Sequence, residues 1–326
     1  MSEAAGCPRQ RLARPAPAAP GGWTARLAGA PISWGVCEVP GWGHQLPVEL
    51  VLSEMAASGL TAMEFGPDGF LPDAGSDRAA VLSRHGMRAV GGFVPVVAHV
   101  EEIDPAAFDG VFRQFAEAGA GVVVFAAATG SDGYDARPEL DVHGWSLLCM
   151  NLDRLAEAAA EHGLLGTLHP HVGTMIERPA EVDRVLAAST IGLCLDTGHC
   201  LAGGGDPLSL AKVAARRIAH VHLKDVDAAM AARVRAGELT YTDAVRAGMY
   251  RPLGAGDARV AEIVATLESG GYQGWYVLEQ DRILPVPHNA AGLAEAAEAA
   301  EAAAAASADV RAGLTHLRAA VGAVAH

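Results

Sequence analysis

The sequence lacks the features of several protein classes. Its five cysteines are scattered and odd in number, so they form no disulfide framework and favour a reducing cytoplasm. No apolar run reaches about 18 residues, which argues against a transmembrane helix. Lys and Arg number 24 against 38 Asp and Glu, and the formal net charge of −14 disfavours nucleic acid and membrane surfaces as partners. No Gly-x-Gly-x-x-Gly follows the first predicted strand, which disfavours an open dinucleotide-binding sheet.

The two ends of the chain differ from its middle. Residues 1–24 are rich in Ala, Pro, Arg and Gly without an apolar core, and predict a flexible tail rather than a secretory signal. Residues 290–308 are nearly all Ala with spaced Glu, which favours helix. Few side chains there are large enough to pack a core. We therefore predict an insertion ahead of a last helix near residues 310–321, as a helical extension of one domain spanning 25–326.

Between the ends, short apolar segments alternate with helical patterns. The predicted strands are 27–34, 61–66, 88–95, 121–127, 164–171, 191–199, 218–225 and 275–281. The predicted helices are 47–58, 105–118, 145–161, 179–188, 207–216 and 258–269. The strand segments are almost continuously apolar, as parallel strands buried on both faces are. Eight such units in about 250 residues predict an α/β protein with a (β/α)8 barrel.

The last four predicted strands end in side chains that bind metals. These are His169 and His171, Asp196 and His199, His220, His222 and Asp225 with Lys224 between them, and Glu279 with Asp281. The carboxyl ends of barrel strands meet at one mouth, where chemistry takes place in this fold. Mixed nitrogen and oxygen ligands suit one divalent ion, with Mn²⁺ or Co²⁺ preferred and Fe²⁺, Zn²⁺ or Mg²⁺ also allowed.

These strand ends also carry a family resemblance. DTGH at 196–199 and HVHLKD at 220–225 resemble the xylose-isomerase-like TIM-barrel family of sugar isomerases and epimerases, over roughly residues 26–285. HPHVGT at 169–174 and GWYVLEQD at 274–281 resemble, more specifically, the inosose (2-keto-myo-inositol) dehydratases. The resemblance implies a single-metal enzyme that acts on a keto-sugar or keto-cyclitol.

The resemblance also implies a ligand set. Family members hold one metal through Glu, Asp, His and Glu on the last four strands, and Asp196, His222 and Glu279 match three of those places. At the fourth, isomerases and epimerases have Glu before Pro, whereas this chain has His169 before Pro170. The departure removes one of the two carboxylates that an epimerase uses on opposite faces of a sugar. A similar His-x-His in the dehydratases favours that branch.

Dehydration of a keto-cyclitol requires one base, one acid and one Lewis acid. The candidate catalytic residues are His169, His171, Glu279 and Lys224. The candidate substrate-binding residues are Trp34, Glu64, His199 and Arg251. Trp34 can form either a wall for a sugar ring or a plug in the barrel. Arg251 lies in the long loop of the seventh strand, residues 227–257, which can act as a lid.

The sequence thus predicts a cytoplasmic lyase that removes water from a keto-cyclitol such as 2-keto-myo-inositol. An isomerase or epimerase on a small keto-sugar is the alternative. A DNA repair enzyme with about three zinc ions would need a basic groove, which the charge disfavours. A non-catalytic sugar-binding barrel also stays open. The Ala-rich outer helices are compatible with a homo-oligomer.

Overall fold

A computed structural model describes residues 22–286 and 293–324. The predicted tail lies outside this part of the chain except for its last residues, where a short 3₁₀ helix, Trp23–Arg26, begins. Trp23 packs edge-on against Tyr276 at a ring-centroid distance of 6.5 Å. No helix among the described residues is both long and apolar enough to span a bilayer.

Parallel strands form a closed barrel at the centre of the molecule. The strands of the described residues are β1 (Leu27–Gly29), β2 (Ala62–Met63), β3 (Arg88–Ala89), β4 (Gly91–Val96), β5 (Val122–Ala127), β6 (Leu165–Leu168), β7 (Gly192–Asp196), β8 (Ile218–Leu223), β9 (Asp225–Val226), β10 (Tyr250–Arg251) and β11 (Tyr276–Leu278). Of these, β9 and β10 form a separate pair outside the barrel. The order of the other strands in the main sheet is β3-β2-β1-β11-β8-β7-β6-β5-β4, and all pairs are parallel.

One residue joins the two ends of that sheet. β3 and β4 are consecutive in the chain and are separated only by Val90. The Val90 amide donates to the Met63 carbonyl, and its own carbonyl accepts from Gly121 and Val122. β3 and β4 together are therefore one barrel strand, and the eight-stranded barrel predicted from the sequence is confirmed.

Helices cover the outside of the barrel. They are α1 (Val48–Ala57), α2 (Gly75–Arg84), α3 (Asp109–Glu117), α4 (Val142–Glu161), α5 (Pro179–Ala188), α6 (Thr197–Ala202), α7 (Pro207–Val213), α8 (Ala228–Arg235), α9 (Tyr241–Arg246), α10 (Val260–Ser269) and α11 (Leu293–Val324). The predicted helices match α1, α3, α4, α5, α7 and α10. α2 was not predicted, because its sequence GSDRAAVLSR buries only Val81 and Leu82 among its large apolar side chains.

Two of the predicted strands change into helices before their predicted ends. The segment 27–34 is a strand only to Gly29, and Pro31 begins a 3₁₀ helix that contains Trp34. The segment 191–199 is a strand only to Asp196, whose carboxylate accepts from the His199 amide and so caps α6. In both cases a local start signal, a proline or an acidic N-cap, ends the extended backbone.

The Ala-rich segment corrects a second prediction. Residues 293–324 form one continuous helix, α11, rather than an insertion followed by a helix. Ala303 and Ala306 are fully buried, so the small side chains let α11 approach the barrel closely instead of leaving it outside the core. Ser307 is also buried and accepts a hydrogen bond from the Trp34 indole at 3.1 Å.

One carboxylate anchors the long segment that follows β8, which is the seventh strand of the barrel. β9 and β10 pair antiparallel within it. The Asp225 side chain accepts the amides of Gly254, Gly256 and Ala258 at 2.8–3.1 Å. A Cβ atom at Gly256 would lie 2.5 Å from Asp225 Oδ1, so the loop requires glycine there. The Asp225 carboxylate is thus occupied by backbone amides, and the neighbouring Lys224 pairs with other carboxylates.

The burial of α11 predicts unequal effects of two neighbouring substitutions. Ala303→Glu places a charge in the core and is expected to lower the free energy of unfolding by about 2–4 kcal/mol. Ala305→Glu, on the exposed face of the same helix, is expected to change it by less than about 0.5 kcal/mol. Urea unfolding of both variants measures the difference. Equal stabilities would mean that α11 does not pack as described.

Candidate metal and substrate site

The carboxyl ends of the strands enclose one cavity of about 190 Å³. Residues of β4 and β8 line it, together with residues of the segments that follow β1, β2, β5, β6, β8 and β11. Its polar lining includes Glu64, His169, His171, His222, Lys224 and Glu279. The strand ends that the sequence singled out therefore do meet at one place.

Three of the four predicted metal ligands form a compact group. In the sheet, Asp196 on β7 lies directly beside His222 on β8, so both side chains point into the barrel. Glu279 follows the neighbouring strand β11. Ligand atoms of Asp196, His222 and Glu279 lie within 4.8 Å of one another, with His222 Nδ1 3.2 Å from Glu279 Oε2.

The fourth predicted ligand, His169, lies beside this group. Its Nε2 atom is 3.2 Å from Asp196 Oδ2. His171 is two residues further along and lies against His199, with ring centroids 3.7 Å apart. The His171 Nδ1 atom is 2.6 Å from the Val172 carbonyl oxygen. Because a carbonyl only accepts, Nδ1 carries the proton and Nε2 keeps its lone pair.

The donor set fits a divalent cation. Nδ1 of His169 and Nδ1 of His220 are buried without a hydrogen-bond partner, which is unusual for polar atoms inside a protein. His222 Nε2 lies 3.1 Å from Glu64 Oε1, the arrangement in which a metal-binding histidine donates its other N–H to a carboxylate. Glu64, predicted as a substrate ligand, also accepts from His220 at 2.7 Å and thus positions these rings.

The Lys224 ammonium balances the negative charge of three buried carboxylates at the site. Its Nζ atom lies 2.8 Å from Asp281, 2.9 Å from Glu279 and 3.3 Å from Asp196. It is 2% exposed, so these are buried ion pairs. Gly198 permits this packing, because a Cβ there would lie 2.5 Å from Lys224 Cβ.

Charge complementarity controls the protonation states. Burial alone would lower the pKa of His222 and of Lys224, but the surrounding carboxylates raise both pKa values well above their usual range. Burial alone would raise the pKa of Glu279, but His222 and Lys224 lower it to about 2. Burial, reinforced by His169, lowers the pKa of His171 to about 3. The cavity thus holds ionised carboxylates beside a neutral imidazole.

Two tyrosines connect the long loop after β8 to the site. Tyr241 donates to Asp281 at 2.9 Å. Tyr250 lies 3.0 Å from the Tyr241 hydroxyl and 3.1 Å from His199 Nδ1. His199, predicted to bind substrate, has Lys224 at 2.9 Å from its Nε2 atom. Its two ring nitrogens therefore both face protein groups, and the loop is attached to the cluster through buried hydrogen bonds.

Trp34 and Arg251 are not brought to the cavity. Trp34 is fully buried in the core beneath α11, as the plug that the sequence allowed, and not as a wall. Arg251 points away and pairs with Asp227 at 3.0 Å. The aromatic wall is formed by Trp42 and Tyr134, whose rings are 6.1 Å apart. Tyr134 lies in the loop after β5, where no strand-end pattern could identify it.

Comparison with known proteins supports this description. Residues 52–306 match the family model described as Xylose isomerase-like TIM barrel. The rhizopine catabolism protein MocC of Rhizobium meliloti is 33% identical over 269 residues, which cover 79% of this chain and 82% of MocC. An inosose dehydratase of Geobacillus kaustophilus is 34% identical over 291 residues, 83% of this chain and 92% of that protein.

A solved structure supports the fold. The crystal structure of the IolI protein, described with a bound zinc atom, superposes with a TM-score of 0.60 over 88% of this chain and 98% of IolI, at 16% identity. The family resemblance seen in the sequence is therefore confirmed. In this chain, the ligand atoms of the strand-end groups lie close enough together to hold a metal ion.

The contacts of Glu64 predict a role in metal affinity. Glu64→Gln removes the carboxylate that orients His222 and is expected to weaken Mn²⁺ binding by about 10–100-fold. Asp68→Asn, an exposed change at the rim of the same cavity, is the matched control. Mn²⁺ affinity is measured by the paramagnetic resonance signal of the free ion. Equal affinities of the two variants would show that Glu64 does not position a ligand.

Proposed function

The chain belongs to the xylose isomerase-like TIM barrel family, and on that premise we propose that it is a divalent-metal-dependent dehydratase that removes water from a keto-cyclitol such as 2-keto-myo-inositol. The observation that carries the proposal is the His169-Pro170-His171 segment beside the group of Asp196, His222 and Glu279. It supplies a neutral imidazole where an epimerase would need a second carboxylate. The named relative from Geobacillus has the same activity in its name.

The ligands of the proposed metal are Asp196, His222, Glu279 and His169. Mn²⁺ or Co²⁺ suits this mixture of two carboxylates and two imidazoles. When bound, the ion supplies a Lewis acid that stabilises negative charge on the ketone oxygen of the substrate. Glu64 holds His222 in its orientation through the 3.1 Å contact to Nε2.

His171 is the proposed proton carrier. Its Nε2 lone pair removes the proton from the carbon next to the ketone, and the electrons of that C–H bond move toward the carbonyl oxygen. That electron pair then returns from the oxygen, which restores the ketone and forms the double bond between the α and β carbons while the C–O bond of the β-hydroxyl breaks. The imidazolium of His171 returns its proton to the departing hydroxyl, which leaves as water. One residue thus acts first as base and then as acid.

Lys224 and the aromatic wall position the substrate. Because its carboxylate neighbours keep Lys224 protonated, its ammonium binds oxygens and does not accept the carbon proton. Trp42 and Tyr134 form an apolar surface at the mouth that suits the C–H face of a six-membered ring and excludes water. His199 and Asp281 hold the Lys224 ammonium in place at 2.9 and 2.8 Å.

The direct test follows the fate of 2-keto-myo-inositol. The metal-stripped protein is incubated with this compound with and without Mn²⁺ or Co²⁺, and mass spectrometry detects the loss of one water. We expect water loss only with metal. Entry of solvent deuterium into the substrate without water loss would instead indicate an isomerase or epimerase. Inertness of the metal-loaded protein would contradict the choice of substrate.

Substitution of the proton carrier separates binding from chemistry. His171→Gln is expected to lower kcat by about 10²–10⁴-fold because it removes the general base, while Mn²⁺ affinity stays the same. His85→Gln, at the opposite end of the barrel, is the control and should leave kcat unchanged. An unaltered kcat in His171→Gln would assign the base to another residue.

A further inference from the structure

A cysteine lies under the proposed metal ligands. Cys194 is on β7, two residues before Asp196, so both side chains point into the barrel at successive levels. It is fully buried and packs with Val122 and Val124 of β5. The proposed reaction gives this thiol no part. Among the described residues, Cys194 is the one cysteine that belongs to a candidate metal-binding group.

The sulfur is within reach of two of the same imidazoles. Cys194 Sγ and one ring nitrogen each of His169 and His222 lie within 4.8 Å of one another. Nδ1 of His169 is buried and has no hydrogen-bond partner, so one imidazole nitrogen of this group is unpaired independently of the thiol. Cys sulfur and His nitrogen are the ligands that Zn²⁺ commonly takes in proteins, and three such ligands leave the fourth position of a tetrahedron open.

We propose that Cys194, His169 and His222 form a second, deeper cation position that takes a thiophilic ion such as Zn²⁺. The inference rests on the proposed metal site but not on the proposed reaction. The metal position of the proposed function, formed by Asp196, His222, Glu279 and His169, is called the upper position. It offers two carboxylates and suits Mn²⁺, whereas the deeper one offers a thiolate and selects softer ions. Because both positions use His169 and His222, one ion at a time occupies them.

The identity of the ion therefore decides where it lies. An ion held by Cys194 has neither carboxylate of the upper group, Asp196 and Glu279, in its ligand set. It also lies further from the mouth, because Cys194 precedes Asp196 along the strand. Zn²⁺ is thus expected to compete with Mn²⁺ for the chain while binding through a different set of atoms.

X-ray absorption of the wild-type protein tests this without any substitution. The Zn²⁺-loaded protein is expected to show a zinc–sulfur distance of about 2.3 Å, and the Mn²⁺-loaded protein only nitrogen and oxygen neighbours. Zinc with nitrogen and oxygen neighbours alone would overturn the deeper position and leave the upper one standing. Failure to bind either ion would overturn both, and with them the metal dependence of the proposed function.

A variant pair assigns the sulfur to Cys194. Cys194→Ser is expected to weaken Zn²⁺ binding at least about tenfold, to leave Mn²⁺ binding unchanged and to abolish the near-ultraviolet sulfur-to-metal band of the Co²⁺-loaded protein. Cys149→Ser, on α4, and Cys37→Ser, at the cavity wall, should retain that band. Persistence of the band in Cys194→Ser, or its loss in Cys37→Ser, would contradict the assignment. Circular dichroism establishes that each variant is folded.

Discussion

The balance of charge at the mouth of the barrel is the constraint on which the site depends. Asp196, Glu279 and Asp281 are buried carboxylates, and Lys224 lies within 3.3 Å of all three. A buried ion left without its partner typically costs about 3–5 kcal/mol. Removal of Lys224 would therefore leave the carboxylates of β7 and of the segment after β11 without this cation. A divalent ion in the proposed position would supply the same kind of compensation.

The barrel and its surroundings serve this arrangement. Parallel register places Asp196 beside His222, and the short strands leave the next residues free to turn into helices or loops. The long loop after β8 contributes Tyr241 and Tyr250, which form hydrogen bonds with the buried polar cluster, so this loop is not a freely moving lid. At the other side, α11 closes the core over Trp34. Function and stability therefore share the same network of buried polar contacts.

The sequence predicted the barrel and the strand-end cluster well, because both follow from short-range patterns. Apolar runs with polar ends locate strands, and parallel strands bring their ends together. It could not predict that α11 packs through Ala303 and Ala306, since burial of small side chains depends on what lies opposite them. Nor could it place Tyr134 at the cavity, because loop conformation determines its position.

The roles within the cluster depend on distances that no pattern contains. Glu64 was expected to face substrate, yet its carboxylate contacts His220 and His222. Arg251 was expected near substrate, yet it pairs with Asp227. The spacing of residues on one strand fixes which side chains share a face. The neighbouring strands decide which of them meet.

The most direct test of the account is to locate the ion. Crystals loaded with Mn²⁺ and measured for anomalous scattering should show one peak at coordination distance, about 2.0–2.3 Å, from Asp196, His222 and Glu279. A peak in that position would establish that the ends of β7, β8 and β11 form one metal centre. A peak elsewhere, or none at full Mn²⁺ saturation, would contradict the central claim.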